Sequence, residues 1–203
     1  MKLATLAILL SCFALTSLAT ATNTVDFSNG GGTFSGTNAG LTLSGSTLIA
    51  VFGFNGGGMV TGDLGTVSFT TGALASGSLE MGGTLAAGGM FSINGNGSNG
   101  IPNGVLFSGT FSAPITWTLT TLANGTNSYT LTGVLTGMMG GTSVNAVTVQ
   151  LTVSTGTGFF NGSALIAGGD TTVASVPEPS TLAFFATGAM SMMGMMRRKL
   201  FAR

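Results

Sequence analysis

The 203-residue chain carries five basic and five acidic side chains, no histidine, one cysteine and 35 glycines, and its formal net charge is zero. No basic residue lies between Lys2 and Arg197, so the stretch from Thr22 to Ser175 cannot neutralise phosphates and is excluded as a nucleic-acid binder. The lack of histidine, and of any cysteine besides Cys12, removes most nucleophile-plus-base arrangements and the usual zinc and copper ligand sets.

At the start of the chain, Met1-Lys2 is a short positive region and Leu3 to Leu18 a largely apolar run broken by small polar residues. Ala19-Thr20-Ala21 then satisfies the small-x-small rule for signal peptidase. The expectation is a helical secretory signal over 1–21, cut after Ala21 with Ala19 and Ala21 as the recognised small residues. A lipoprotein signal ending at Cys12 is disfavoured, because the apolar run before it is very short and Phe13-Ala14-Leu15 continues the same apolar core. Cleavage after Ala21 leaves a mature chain without cysteine, so its stability has to come from packing and not from disulfides.

Residues 22–175 are long enough for one domain with a real core. Short runs alternate apolar and polar residues with period two, the pattern of half-buried strands. In Thr116-Trp117-Thr118-Leu119-Thr120, Trp117 and Leu119 share one face and three threonines the other. Val147, Val149, Leu151 and Val153 form one continuous apolar stripe. Asn124-Gly125 supplies a tight turn and Gly140-Gly141 another. Strands over 115–122, 128–135 and 143–154 therefore read as a three-strand antiparallel meander. Upstream candidates are 41–43, 48–54, 65–70, 76–85, 89–93 and 104–111, with Asn94 to Asn103 as the longest loop. Many short strands separated by glycine-rich turns indicate an all-β, antiparallel β-sandwich; a barrel or an irregular β-solenoid is the alternative.

The acids of this region are Asp26, Asp63, Glu80 and Asp170, each isolated in sequence. Asp63 and Asp170 follow glycine pairs or Thr-Gly and read as turn residues. A carboxylate-dependent hydrolase needs two of the four about 5–9.5 Å apart in a cleft. Calcium needs only oxygen ligands, yet Gly168-Gly169-Asp170 stands alone without a repeat, so no metal, cofactor or catalytic residue is assigned. Phe52, Phe54, Phe107, Phe111, Trp117 and Phe159-Phe160 are candidates for a sugar-binding face, although aromatics in alternating strands are core residues more often than not. Three Asn-Gly-Ser/Thr triplets, at Asn96, Asn124 and Asn161, are read as turns.

The tail begins Val176-Pro177-Glu178-Pro179-Ser180 and continues from Thr181 to Met196 without a charge or a proline. That run spans roughly 24 Å as a helix, short for a hydrocarbon core of about 30 Å. Arg197, Arg198, Lys199 and Arg203 follow it, four of the five basic residues of the protein, and hold the C-terminus on the cytoplasmic side. The prolines flanking Glu178 keep that segment extended, the form in which proteases bind a chain.

Pro177, Glu178 and Pro179, the apolar segment 181–196 and the basic end Arg197-Arg198-Lys199 together resemble the PEP-CTERM sorting signal of bacterial exported proteins. The resemblance covers only the tail. It implies an exosortase as partner, a single transmembrane helix over 181–196 that anchors the precursor transiently, and delivery to the cell surface or extracellular polymeric matrix. The expected organisation is a signal peptide (1–21), a β-rich extracellular domain (22–175) and a sorting signal (176–203). The expected role is structural or adhesive and non-enzymatic, with self-association through strand edges that no lysine protects. A lectin-like module gripping exopolysaccharide is the alternative, and a secreted hydrolase a third.

Overall fold

The computed structural model describes residues 24–174. The expected signal helix over 1–21 and transmembrane helix over 181–196 lie outside the described residues. Within them the strands are β1 (Thr24–Gly30), β2 (Thr33–Thr37), β3 (Gly40–Phe52), β4 (Val60–Thr70), β5 (Leu74–Ser78), β6 (Gly82–Leu85), β7 (Gly88–Asn96), β8 (Asn103–Phe111), β9 (Ile115–Thr121), β10 (Asn127–Met139), β11 (Thr142–Gly156) and β12 (Ser163–Ala174). Among the described residues the one helical element is a 3-10 turn, Phe54–Gly56, and no helix is long and apolar enough to cross a membrane.

The expected sandwich is corrected to a barrel. Strands β1, β3, β4, β7, β8, β10, β11 and β12 pair in that order, all antiparallel, and β12 returns to β1, which closes an eight-stranded ring. Sandwich and barrel share the same apolar-in, polar-out alternation; what separates them is how far each strand runs and how much it bends. Here β3 and β10 have 13 residues and β11 has 15. Register irregularities at Leu43/Ser46, Leu48/Ala50, Leu135/Gly137 and Thr152/Val153 increase their bend and twist. A sheet coiled this strongly brings its own edges together, and pairing them satisfies backbone groups that a sandwich leaves open.

Long strands also change partners along their length. The first half of β10 pairs β9 (Asn127↔Thr121 to Thr132↔Thr116), and its second half pairs β8 (Leu135↔Phe111 to Met139↔Phe107). From β9 the sheet extends through β6 to β5. Likewise β12 pairs β1 over Gly169–Ala174 and the short β2 over Ser163–Leu165. The meander β9–β10–β11 forms as expected. The single strand expected over 76–85 is instead a hairpin, because Gly77 and Gly82 take positive φ and Leu79-Glu80-Met81 turns the chain.

Inward positions fill the ring with Phe27, Leu48, Val67, Ile93, Phe107, Leu135, Val149 and their neighbours, all buried. A path of rings runs through this core, from Phe107 to Phe91, Phe69 and Phe34 and on to Trp117, Tyr129 and Phe160. Outward positions carry hydroxyls, and one amide, in rows across the strands: Thr118–Thr130–Thr152, Thr116–Thr132–Gln150 and Thr120–Ser128–Ser154. A lipid-facing barrel has the opposite pattern, with apolar side chains outside and polar ones within.

Candidate functional site

Period two in β1 sends Val25, Phe27 and Asn29 inward, so Asp26 and Ser28 face out; in β12, Thr171 and Val173 point in and Asp170 and Thr172 out. The register pairs Asp26 with Thr172 and Ser28 with Asp170. The two acids are therefore diagonal neighbours on the outer wall, with backbones about 7–8 Å apart. Each is held by a hydroxyl of the facing strand: Ser28 Oγ donates to Asp170 Oδ1 (3.1 Å) and Thr172 Oγ1 donates to Asp26 Oδ1 (2.9 Å).

Partial burial pushes the Asp170 carboxyl above its ordinary range, the Asp26 charge adds to the rise, and the Ser28 hydrogen bond opposes it. Gly168 brings no side chain to the outer face, and a groove of about 300 Å³ lies there, lined by Gly168, Gly169, Ser28, Gln150, Thr152 and Asp170. Directly across from Asp26 on β3 stands Phe52, 54% exposed. Phe52 beside Asp26 offers an apolar ring next to a carboxylate, the pairing that stacks on one face of a sugar and accepts its hydroxyls. Both acids rise from one wall of the barrel, an arrangement unlike the two carboxylates that flank the scissile bond in glycoside hydrolysis.

The other acids are elsewhere. Asp63 lies in β4, where its backbone carbonyl and carboxylate both accept from Asn96 Nδ2 (3.0 and 3.3 Å). Glu80 is in the β5–β6 turn. The turn reading of Asp63 and Asp170 is thus corrected: both sit within strands, at outward positions where glycine neighbours are tolerated. Among the described residues no three His, Cys, Asp or Glu side chains group as metal ligands.

Of the aromatic candidates, Phe107, Phe111, Trp117 and Phe160 are core, and Phe54 packs edge-on against Phe27. Trp117 is 1% exposed and its Nε1 donates to the Leu79 carbonyl (2.8 Å), so it offers no sugar platform. Phe52 and Phe159 are exposed. The nearness of Asp26 to Asp170 was not legible in sequence, because residues so far apart meet only through ring closure.

Ala19, Ala21, Pro177, Glu178, Pro179, Arg197, Arg198 and Lys199 lie outside the described residues. Residues 175–199 match the family model described as the PEP-CTERM protein-sorting motif. The tail carries this motif, which marks the chain as an exported protein handled by an exosortase and destined for the cell surface. The match is confined to the tail and leaves the barrel unassigned. No curated protein and no solved structure matches the chain.

Proposed function

We propose that the mature protein is a non-enzymatic structural or adhesive component of the cell surface or extracellular polymeric matrix, released from a transient membrane anchor by an exosortase. The observation that carries this reading is the sorting motif at 175–199, fused to a barrel that has no basic residue. The hydroxyl rows across β9, β10 and β11 support it. A neutral hydrated polymer presents matching donors and acceptors, and since each hydrogen bond contributes only about 0.5–1.5 kcal/mol net, adhesion by such a wall depends on many at once. Self-association is narrowed by ring closure, which pairs both sides of the wall strands over most of their length. It falls to β5, the end strand of the sheet, which pairs β6 on one side.

A polysaccharide-binding module is the second reading, favoured by exposed Phe52 beside Asp26. The test of the first is the intact mass of the protein recovered from the envelope and matrix fractions of its host. A start at Thr22 and an end between Pro177 and Ser180 is the expected result, and replacing Arg197, Arg198 and Lys199 by alanine is expected to block the second cut. Retention of Arg203 in the matrix fraction would overturn the exosortase route.

A further inference from the structure

At the barrel end where β2 and β9 widen the sheet, a shallow, open cleft of about 600 Å³ lies between the β2–β3 turn, the β5–β6 turn and the segment before β12. Thr37, Asn38, Ser78, Glu80 and Asn161 line it together with Phe160 and Leu79. We infer that this cleft is a preformed subsite for a neutral sugar residue, with Glu80, Asn38 and Asn161 as its polar contacts. The inference deepens the polysaccharide-binding reading and rests on it, but places the sugar here instead of on the outer wall.

The three segments are tied to one another by the core. Tyr129 Oη donates to the Glu80 carbonyl (2.6 Å) and accepts from the Phe160 N–H (3.0 Å), so one hydroxyl joins two sides of the cleft. Trp117 Nε1 fixes the neighbouring Leu79 carbonyl, and the Gly36 N–H donates to the Gly162 carbonyl (2.9 Å), joining the third side. Both turns are also closed on themselves, through Ala39 N–H to Thr37 Oγ1 and Met81 N–H to Ser78 Oγ. These bonds hold the three segments together without a ligand, which lowers the ordering cost of binding one. The volume lies in the range of small-molecule sites, and mouths of β-barrels are a common place for them.

Chemistry selects the ligand class. Glu80 is the one ionisable group of the lining, and no lysine, arginine or histidine exists between Lys2 and Arg197 to hold an anion. A carboxylate accepts hydroxyl protons in charge-assisted bonds, while two amides donate and accept, which suits adjacent hydroxyls of an uncharged sugar. Sulfated, phosphorylated or uronic-acid sugars are repelled by Glu80.

The test uses the processed protein from its host, titrated by NMR with neutral trisaccharides of glucose, galactose, mannose and N-acetylglucosamine, and with a sulfated trisaccharide. At least one neutral probe is expected to shift the backbone signals of Asn38, Glu80 and Asn161, and the sulfated one to shift none. Glu80→Gln and Asn161→Ala, both at exposed turn positions, are each expected to weaken binding about tenfold. Loss of binding in Asp26→Asn/Asp170→Asn with retention in both cleft variants would move the sugar to the outer wall and overturn the inference while leaving the polysaccharide reading intact. Absence of shifts with every neutral probe would end both.

Discussion

Trp117 and Tyr129 stack face to face, ring centroids 4.9 Å apart and planes 13° from parallel, and their two polar atoms fix the adjacent carbonyls of Leu79 and Glu80. They are the only tryptophan and tyrosine of the protein. Tyr129→Phe keeps the stack and removes the hydroxyl, leaving the buried Phe160 N–H without its acceptor. The expected cost is about 1–3 kcal/mol in urea unfolding of the processed protein. An unchanged midpoint would show that the hydroxyl is not what joins these segments.

Gly133 lies at an inward position of β10, between Leu131 and Leu135. A methyl group there meets Phe111 Cε1 at 2.6 Å and Cδ1 at 2.7 Å, and Phe111 is itself enclosed by Phe69 and Phe91. Gly133→Ala is expected to destabilise by about 1–3 kcal/mol through overpacking. Gly58→Ala, with nothing within 4 Å and no left-handed backbone, is expected to stay within about 0.5 kcal/mol. Thermal unfolding of the two variants side by side checks the contrast, and equal midpoints would refute it.

The same glycines explain how much could be read from the sequence. The meander was legible because Trp117, Tyr129, Leu131 and the stripe Val147, Val149, Leu151 and Val153 keep the alternation unbroken. β12 was not, because Gly168-Gly169 interrupts its apolar stripe. The structure supplies the reason: the inward space at Gly169 is filled by Asn29 and Leu151, whose side chains would stand 2.5 and 2.8 Å from an added methyl. The alternation of strand β1 is obscured for a related cause, since Asn29 occupies an inward position and is satisfied there by Ser46 Oγ (2.7 Å). Ring closure itself, and with it the Asp26–Asp170 neighbourhood, depends on bulges and on β1 meeting β12 across 142 residues, as in the Ser28–Asp170 bond. Local alternation carries no trace of such a pairing.

Asp170 gives the barrel a pH dependence of definite sign. Its folded carboxyl binds a proton more tightly than the unfolded chain does, where the ordinary value is 3.8. Its stabilising contribution is therefore fully present below that value and is lost as pH rises through the folded one. Asp170→Asn removes this dependence, so the variant is expected to gain on the wild type as pH rises from below 3.8 toward neutrality. Denaturation midpoints measured across that window decide it; parallel curves for the two proteins would show that Asp170 does not carry the effect.

Thr171 is 1% exposed on the inward face of β12, between Phe27 of β1 and Val149 of β11, and its Oγ1 has no hydrogen-bond partner among the described residues. A buried hydroxyl without a partner retains its desolvation cost and returns nothing for it. Thr171→Val preserves the shape and removes that cost, so a gain of about 1 kcal/mol is expected, or a rise in Tm of about 2–4 °C. Thr71 provides the opposite case, because its Oγ1 accepts from the Leu41 N–H (2.9 Å) and donates to the Gly72 carbonyl (2.9 Å). Thr71→Val leaves both groups unpaired at the start of the β4–β5 connection and is expected to cost about 1–3 kcal/mol. If the two substitutions destabilise alike, the Thr171 hydroxyl is satisfied in solution, and the barrel interior holds a polar partner for it beside Phe27.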